Sequence, residues 1–565
     1  MKKFTYFILA GMLFVWSQDA FSAFKWSADA SQSFTFRDHF DLNNDGNNAV
    51  QTRGLLTFNG TGADSENFFT TLLGINGQWD LVKDTSLAFR VASQFDWLGT
   101  NTAGPAMDAQ PGSGSPNTGN SALGGLNTFN LMVNQLFLNF NDFAGFPVNL
   151  RFGRQNVVLG KGFVLANRLF GAGSTIYGAG IAPSGSNAAA NNGQNQDANA
   201  GNLPLDAISG GSLLSPETSD FTGFDGLTAN LHLMNNKLNL DFGYLLIASA
   251  LTEADLTNGS GTLASGQRDL GADDDETLWF ANLGYKERKW NAEAYALYNH
   301  DREPYGDRNA AVAGSDYKSD HIWTLGLRGD LDFGTGMWKF KKVNVYGEGA
   351  YQLGKLGSGW SQTANQRDRQ AAALNVGADA WLDMAYAPMF GLEAIYYSGM
   401  NPDKIEPNDN PSTATVGAGE KWTVWDPQFS GKFYAKIMPF LDAVYITDQS
   451  NINGSGNLGR IDAGFTNRMV LKTSFGFEPM KKLSAGGAFI FAQAADLPQA
   501  GAKKDLGYEL DWDLGYKLSS KTTWSFDGGL FIPGSYYKMF GAGGTGEDAI
   551  SNALLLRTGF KLDLG

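Results

Sequence analysis

Period-two alternation of apolar and charged residues, sustained for about ten residues at a time, is the feature that most restricts what this chain can become. From Ser86 to Trp97, Leu87, Phe89, Val91, Phe95 and Trp97 alternate with Ala88, Arg90, Ala92, Gln94 and Asp96. From Trp323 to Phe333, Trp323, Leu325, Leu327, Leu331 and Phe333 alternate with Thr324, Arg328, Asp330 and Asp332. From Leu506 to Lys517, Leu506, Tyr508, Leu510, Trp512, Leu514 and Tyr516 oppose Glu509, Asp511, Asp513 and Lys517. Each segment has one apolar and one ionic face over roughly the 9 to 11 residues that a membrane-spanning strand requires.

Comparable strands are expected at 26–38, 69–82, 127–140, 147–156, 224–234, 238–248, 277–286, 290–300, 343–354, 372–385, 390–399, 468–478, 483–493, 521–532 and 550–564, with an ambiguous stretch from Lys432 to Thr447. Connections alternate between tight turns, such as Asn235 to Lys237 and Leu518 to Ser520, and long loops. Short turns on one side and long loops on the other describe an outer-membrane barrel. The expected fold is therefore all-β: a single transmembrane antiparallel β-barrel of about 18 strands, within a range of roughly 16 to 20, the even number being favoured by closure.

An exported sandwich or propeller would also alternate. Against both, Trp79, Trp97, Trp290, Trp323, Trp512 and Tyr516 sit near strand ends as an aromatic girdle would. The opposite faces are too ionic for a packed core, and no repeat of roughly 40 to 50 residues marks propeller blades.

Lys2 and Lys3 precede an apolar stretch from Phe4 to Trp16, and Ala20-Phe21-Ser22 follows before Ala23. This reads as a secretory signal over 1–22, too short to span a bilayer, with a barrel over 23–565. With 57 Asp+Glu against 42 Lys+Arg, the net charge of −15 argues against nucleic-acid binding, and zero Cys excludes disulfides and cysteine metal sites. The 71 Gly suit many strands joined by permissive loops. Loops are expected at about 98–126 and 159–223; the Asn/Gly/Ser-rich parts of both lack the large apolar groups needed for a core. The longer one either caps the outside or folds into the lumen.

Catalytic motifs dissolve on inspection. Two G-x-G-x-x-G matches, Gly454 to Gly459 and Gly541 to Gly546, lie outside any βαβ context. His39, His232, His300 and His321 lack ligand spacing, and no G-x-S-x-G occurs. No cofactor and no enzyme activity are expected, although a barrel hydrolase assembled from distant strands stays open. Asp41, Asn43 and Asp45, with Gly46, match the opening of a calcium loop, but Thr52 stands where the bidentate Glu belongs, so a polar turn competes with a surface Ca²⁺ site. Asp273 to Glu276 reads as a solvated run.

Arg151-Phe152-Gly153-Arg154-Gln155, followed by Leu159-Gly160, resembles the R-x-G-R-Q signature of the alginate-export family of outer-membrane barrels. Tyr397-Ser398-Gly399 with Pro402-Asp403 is similar to that family's Y-x-S-G segment. Leu506 to Asp511, then Phe531-Ile532-Pro533-Gly534, resembles its penultimate hairpin. The resemblance implies an 18-stranded barrel passing an anionic polysaccharide or related solute without chemistry, with outer-membrane lipid and periplasmic export components as partners. Met400 after Ser-Gly and the terminal Leu564-Gly565 depart from the family pattern.

The strand phases give inward basic candidates Arg90, Arg151, Arg328, Lys472, Arg557 and Lys561. The inward acids are twice as many and include Asp241, Glu293, Glu348, Glu393, Glu509 and Asp511. Pore-lining or solute-binding candidates are thus Arg90, Arg151, Arg154, Arg328, Glu348, Glu393, Glu509 and Asp511. Guanidinium forks would bind carboxylates of a polyuronate. Arg151 and Arg154 are three apart, so alternation puts them on opposite faces unless Gly153 bulges. Equally, these charges can form a salt-bridge ladder that braces the wall. The expected function is a passive outer-membrane channel for polysaccharide or other polar or charged solutes; a general porin with an acidic lumen and a structural or adhesive barrel are the alternatives.

Overall fold

The structure, a computed structural model, describes residues 24–39, 65–96, 131–166, 224–248, 276–301, 320–334, 339–356, 367–399, 421–423, 425–426, 432, 434–439, 466–496, 503–536 and 551–564. The expected signal segment at 1–22, most of the expected long loops, and Asp41, Asn43 and Asp45 lie outside these residues.

The strands are β1 (Phe24–Asp38), β2 (Ser65–Val82), β3 (Thr85–Asp96), β4 (Leu131–Phe140), β5 (Val148–Gln155), β6 (Phe224–Leu233), β7 (Leu238–Ala248), β8 (Glu276–Lys286) and β9 (Trp290–Asp301). They continue as β10 (Asp320–Phe333), β11 (Phe340–Leu356), β12 (Arg367–Leu382), β13 (Met389–Tyr397), β14 (Lys421–Trp422), β15 (Arg468–Met480), β16 (Leu483–Ala494), β17 (Asp505–Lys517), β18 (Thr522–Pro533) and β19 (Ala553–Leu564).

All but β14 form the wall. Each wall strand pairs antiparallel with its neighbours, β13 pairs directly with β15, and β1 pairs with β19, so eighteen strands close a ring. The two-residue β14 runs parallel to Asp368 and Arg369 of β12, above Ala373, where the β12–β13 ladder stops. Connections on one side are two to seven residues long, and those on the other run from ten to seventy. Bacterial barrels place the short turns in the periplasm and the long loops outside the cell.

The alternation is fixed by the two solvents the wall meets. Leu325 and Leu327 of β10 point outward and are 46% and 69% exposed, whereas Thr324 between Trp323 and Leu325 is fully buried. Outward aromatic residues cluster near both rims. Trp26, Trp290, Phe333 and Phe390 lie toward the short turns, and Trp279, Trp323, Tyr396 and Tyr508 toward the long loops. An apolar band between two aromatic belts on a closed strand ring is the outer surface of a bacterial outer-membrane barrel.

The inward face is divided. Toward the long loops it is apolar and packed: Phe224, Leu245, Leu278, Leu297, Ile395, Tyr397, Ile490 and Phe531 are all buried in one cluster. Toward the middle it carries rows of charge. Glu293, Arg328 and Glu348 face one another across β9, β10 and β11, the cross-strand arrangement that favours opposite charges.

Candidate functional site

Two segments from the long-loop side fold into the lumen. The first follows β5. Gln155 is buried and caps the strand end, accepting a bond from the Thr228 hydroxyl at 2.7 Å. The chain then turns inward through Leu159 and Gly160. Gly160 has φ +59°, and a Cβ there would strike the Glu348 carboxylate, so only glycine passes this close to the wall. The amide of Gly160 donates to Glu293 at 3.2 Å, and that of Lys161 to Glu348 at 3.4 Å. Lys161 reaches Asp330 at 3.1 Å and lies 3.8 Å over the Tyr346 ring. Phe163, fully buried, stacks on Tyr397 with ring centroids 5.5 Å apart.

The second segment belongs to the connection between β13 and β15. Ser398 and Gly399 anchor its entry. The Trp425 amide donates to the Ser398 carbonyl at 3.0 Å, and the Thr423 hydroxyl to the Gly399 carbonyl at 2.7 Å. Gln352 of β11 clamps Asp426 through two amide bonds of 2.7 and 2.9 Å, and Arg369 of β12 pairs with its carboxylate at 3.1 Å. Further along, Lys432 pairs with Glu393, while Arg468 and Lys472 of β15 donate to the Tyr434 hydroxyl and carbonyl, each at 2.9 Å. The segment ends its described course on Glu509, 1% exposed, whose carboxylate accepts the amides of Lys436, Ile437 and Met438 at 2.8, 2.7 and 2.7 Å.

Charge explains why these straps enter. Asp513 and Asp527 are directly opposite on β17 and β18, a like-charge pair that destabilises a sheet when left alone. Lys436 of the second strap bridges them at 2.6 and 3.1 Å, and Arg557 of β19 forks onto Asp527 at 2.9 and 2.8 Å. The acidic excess in the strand phases is thus partly the seat of lysines on the two straps: Lys161, Lys432 and Lys436. Among the described residues, the polar contacts of the straps fall on the arc from β9 to β18.

On the other arc, Arg90 forks onto Asp29 at 2.6 and 3.0 Å and touches Asn76 at 2.8 Å. Arg328 likewise pairs with Glu293 and Asp330. Both arginines are wall braces. Arg151 is exposed on the inward face, with its guanidinium 5.4 Å over the Phe137 ring and one 3.4 Å bond to Asn139; among the described residues no carboxylate pairs with it. The expectation for Arg154 is corrected. The β4–β5 register runs without a break from Leu136↔Arg154 to Phe140↔Leu150, so Gly153, despite its φ of +125°, inserts no extra residue. Arg154 therefore shares the outward face with Phe152 and forks onto Asp225 at 2.9 and 2.6 Å. Glu348, Glu393, Glu509 and Asp511 are inward and each is occupied by, or lies beside, a strap contact.

The residues that strand phases alone miss are Lys161, Lys432, Lys436, Tyr434 and Asp426. A signal for them exists: inward-phase residues at the loop-side strand ends, such as Leu278, Leu297, Ile395 and Ile490, are apolar where a water-filled bore calls for polar ones.

No family model and no curated protein sequence matches the chain. The likeness to the alginate-export barrels therefore stands on its short motifs. Solved structures of similar architecture include Acinetobacter baumannii OccAB1, at 9% identity over 96% of this chain and 97% of that one with a TM-score of 0.46. Pseudomonas aeruginosa OpdL gives 10% identity, 96% and 100% coverage and a TM-score of 0.45. Pseudomonas aeruginosa OccK11 (OpdR) gives 11% identity, 96% of each chain and a TM-score of 0.43. At such values these likenesses fix neither family nor solute.

Proposed function

We propose that this protein is a passive outer-membrane channel for polar solutes, its bore set by the two inward straps. The observation that carries the reading is the lumen itself: a closed wall whose inward face carries charge at mid-height, part of it paired with strap lysines and part of it, at Arg151, left facing the bore. Solutes would pass along the arc from β1 to β7, where Asn76, Asn139 and Arg151 line the inward face. Export of a carboxylated polysaccharide, as the motif resemblance implies, would rest on Arg151, whose guanidinium is free to fork onto a uronate. Periplasmic export components would then be partners. The reading needs no cofactor and no catalysis.

A structural or adhesive barrel is the second reading, favoured by the apolar packing between straps and wall on the loop side. Planar-bilayer recording of the refolded protein under a KCl gradient separates the two. A finite conductance supports the channel, anion selectivity with block by oligouronate supports the polysaccharide reading, and cation selectivity without block leaves a general porin. Absence of conductance under all conditions supports the structural barrel.

A further inference from the structure

The two straps come from connections far apart in sequence, yet they rest on the same two aromatic rings. Tyr346 of β11 carries Lys161 of the first strap at 3.8 Å and Lys432 of the second at 5.5 Å from its ring centroid. Tyr397 of β13, fully buried, stacks on Phe163 of the first strap at 5.5 Å and lies 6.5 Å from the Trp425 ring of the second. Each lysine is also held by its own carboxylate, Lys161 by Asp330 and Lys432 by Glu393.

We infer that the two straps are one gating unit, docked and released together, with Tyr346 and Tyr397 as their shared seats. The physical ground is close packing. Phe163, Tyr397 and Trp425 are each 1% exposed or less, and a packed cluster does not hold a void the size of a phenyl ring without losing contacts on every side of it. Withdrawing Phe163 removes the backing of Tyr397, and Tyr397 in turn backs Trp425. The inference concerns the regulation of the proposed channel and rests on that reading only where ion flow is concerned.

The chain has no cysteine, so a single introduced thiol reports one strap. Ala435, 6% exposed on the second strap, is replaced as Ala435→Cys in the full-length refolded protein, and its labelling by a small maleimide is timed. The same measurement is repeated with Phe163→Ala and, as a milder change to the first strap, with Lys161→Met. Coupled straps give labelling about tenfold faster or more with Phe163→Ala, since loss of a buried ring costs more than the equivalent of one decade in an equilibrium, and a smaller acceleration, up to about fivefold, with Lys161→Met. The reciprocal probe, Val164→Cys with Lys432→Met, accelerates as well. Unchanged labelling at residue 435 in both backgrounds, with closure of the barrel verified by its heat-dependent gel mobility, overturns the inference. Labelling requires no conductance. Coupled labelling in a protein that never conducts would refute the channel and leave the coupling, and conductance without coupled labelling would refute the coupling alone.

Discussion

Replacing Glu509 by Gln should free the second strap while leaving the wall intact. The carboxylate is 1% exposed and receives three consecutive backbone amides at 2.7 to 2.8 Å. One oxygen takes Lys436 and Ile437 and the other takes Met438. A glutamine can keep the first pair on its carbonyl, each at neutral rather than charge-assisted strength, a loss of about 1 kcal/mol apiece. Its NH₂ then faces the Met438 amide, donor against donor, and that orphaned group costs about 1 to 3 kcal/mol more. Removing the charge also relieves its repulsion with nearby Asp511, which brings the net to about 3 kcal/mol. Such a change raises the population of the undocked strap by about 10²-fold. Hydrogen exchange followed by mass spectrometry reads it directly: amides in 434–439 should exchange about 10²-fold faster, and those of β17 and β18 should keep their protection. Unaltered exchange across 434–439 would refute the role assigned to this carboxylate.

Arg151→Glu should raise the K⁺/Cl⁻ permeability ratio by about two- to fivefold, the effect of roughly 0.5 to 1 kcal/mol per reversed charge in a hydrated bore; an unchanged reversal potential would remove Arg151 from the permeation path. Arg154→Ala should leave that potential where it is, because its pair with Asp225 is outward and contributes about 0 to 1 kcal/mol. Arg90→Ala should lower the thermal midpoint, a loss of about 1 to 3 kcal/mol from the fork on Asp29, and Arg90→Ala with Asp29→Ala should recover most of it; a double variant no better than the single one would mean that Arg90 does not brace the wall. Gly160→Ala places a side chain at positive φ against Glu348, straining the strap by about 1 to 3 kcal/mol, and single-channel steps should become larger or noisier.

The wall was legible because a two-residue period is tied to what each face meets. Expected strands at 238–248 and 290–300 fall on Leu238–Ala248 and Trp290–Asp301, since shifting either by one residue would turn every apolar side chain into the lumen. The interior was not legible in the same way. Lys432 to Thr447 read as an ambiguous strand because its described part mixes Lys432 and Lys436 with Tyr434, Ile437 and Met438. Those apolar residues pack against the inward face rather than lipid, and no local period encodes contact with a distant wall. Arg90 and Arg151 have the same strand phase; only the register that brings Asp29 beside one and Asn139 beside the other separates a brace from an open guanidinium. The three short motifs point to the same places. Leu159-Gly160, Tyr397-Ser398-Gly399 and Glu509 each seat a strap, so what they encode in this chain is the anchoring of inward segments.

Ring closure falls to the seam between β1 and β19, eleven residue pairs from Ala28↔Leu564 to Asp38↔Leu554. The final rungs are supplied by β19, the most C-terminal strand of the ring. A polypeptide cut short before Ala553 would present β1 and β18 to hydrocarbon with a whole row of amides and carbonyls unmatched, at several kcal/mol for each group. Lipid would reject it outright, where water would tolerate a frayed edge. Insertion is for that reason all or nothing: a ring lacking β19 should fail to enter the bilayer instead of forming a leaky pore.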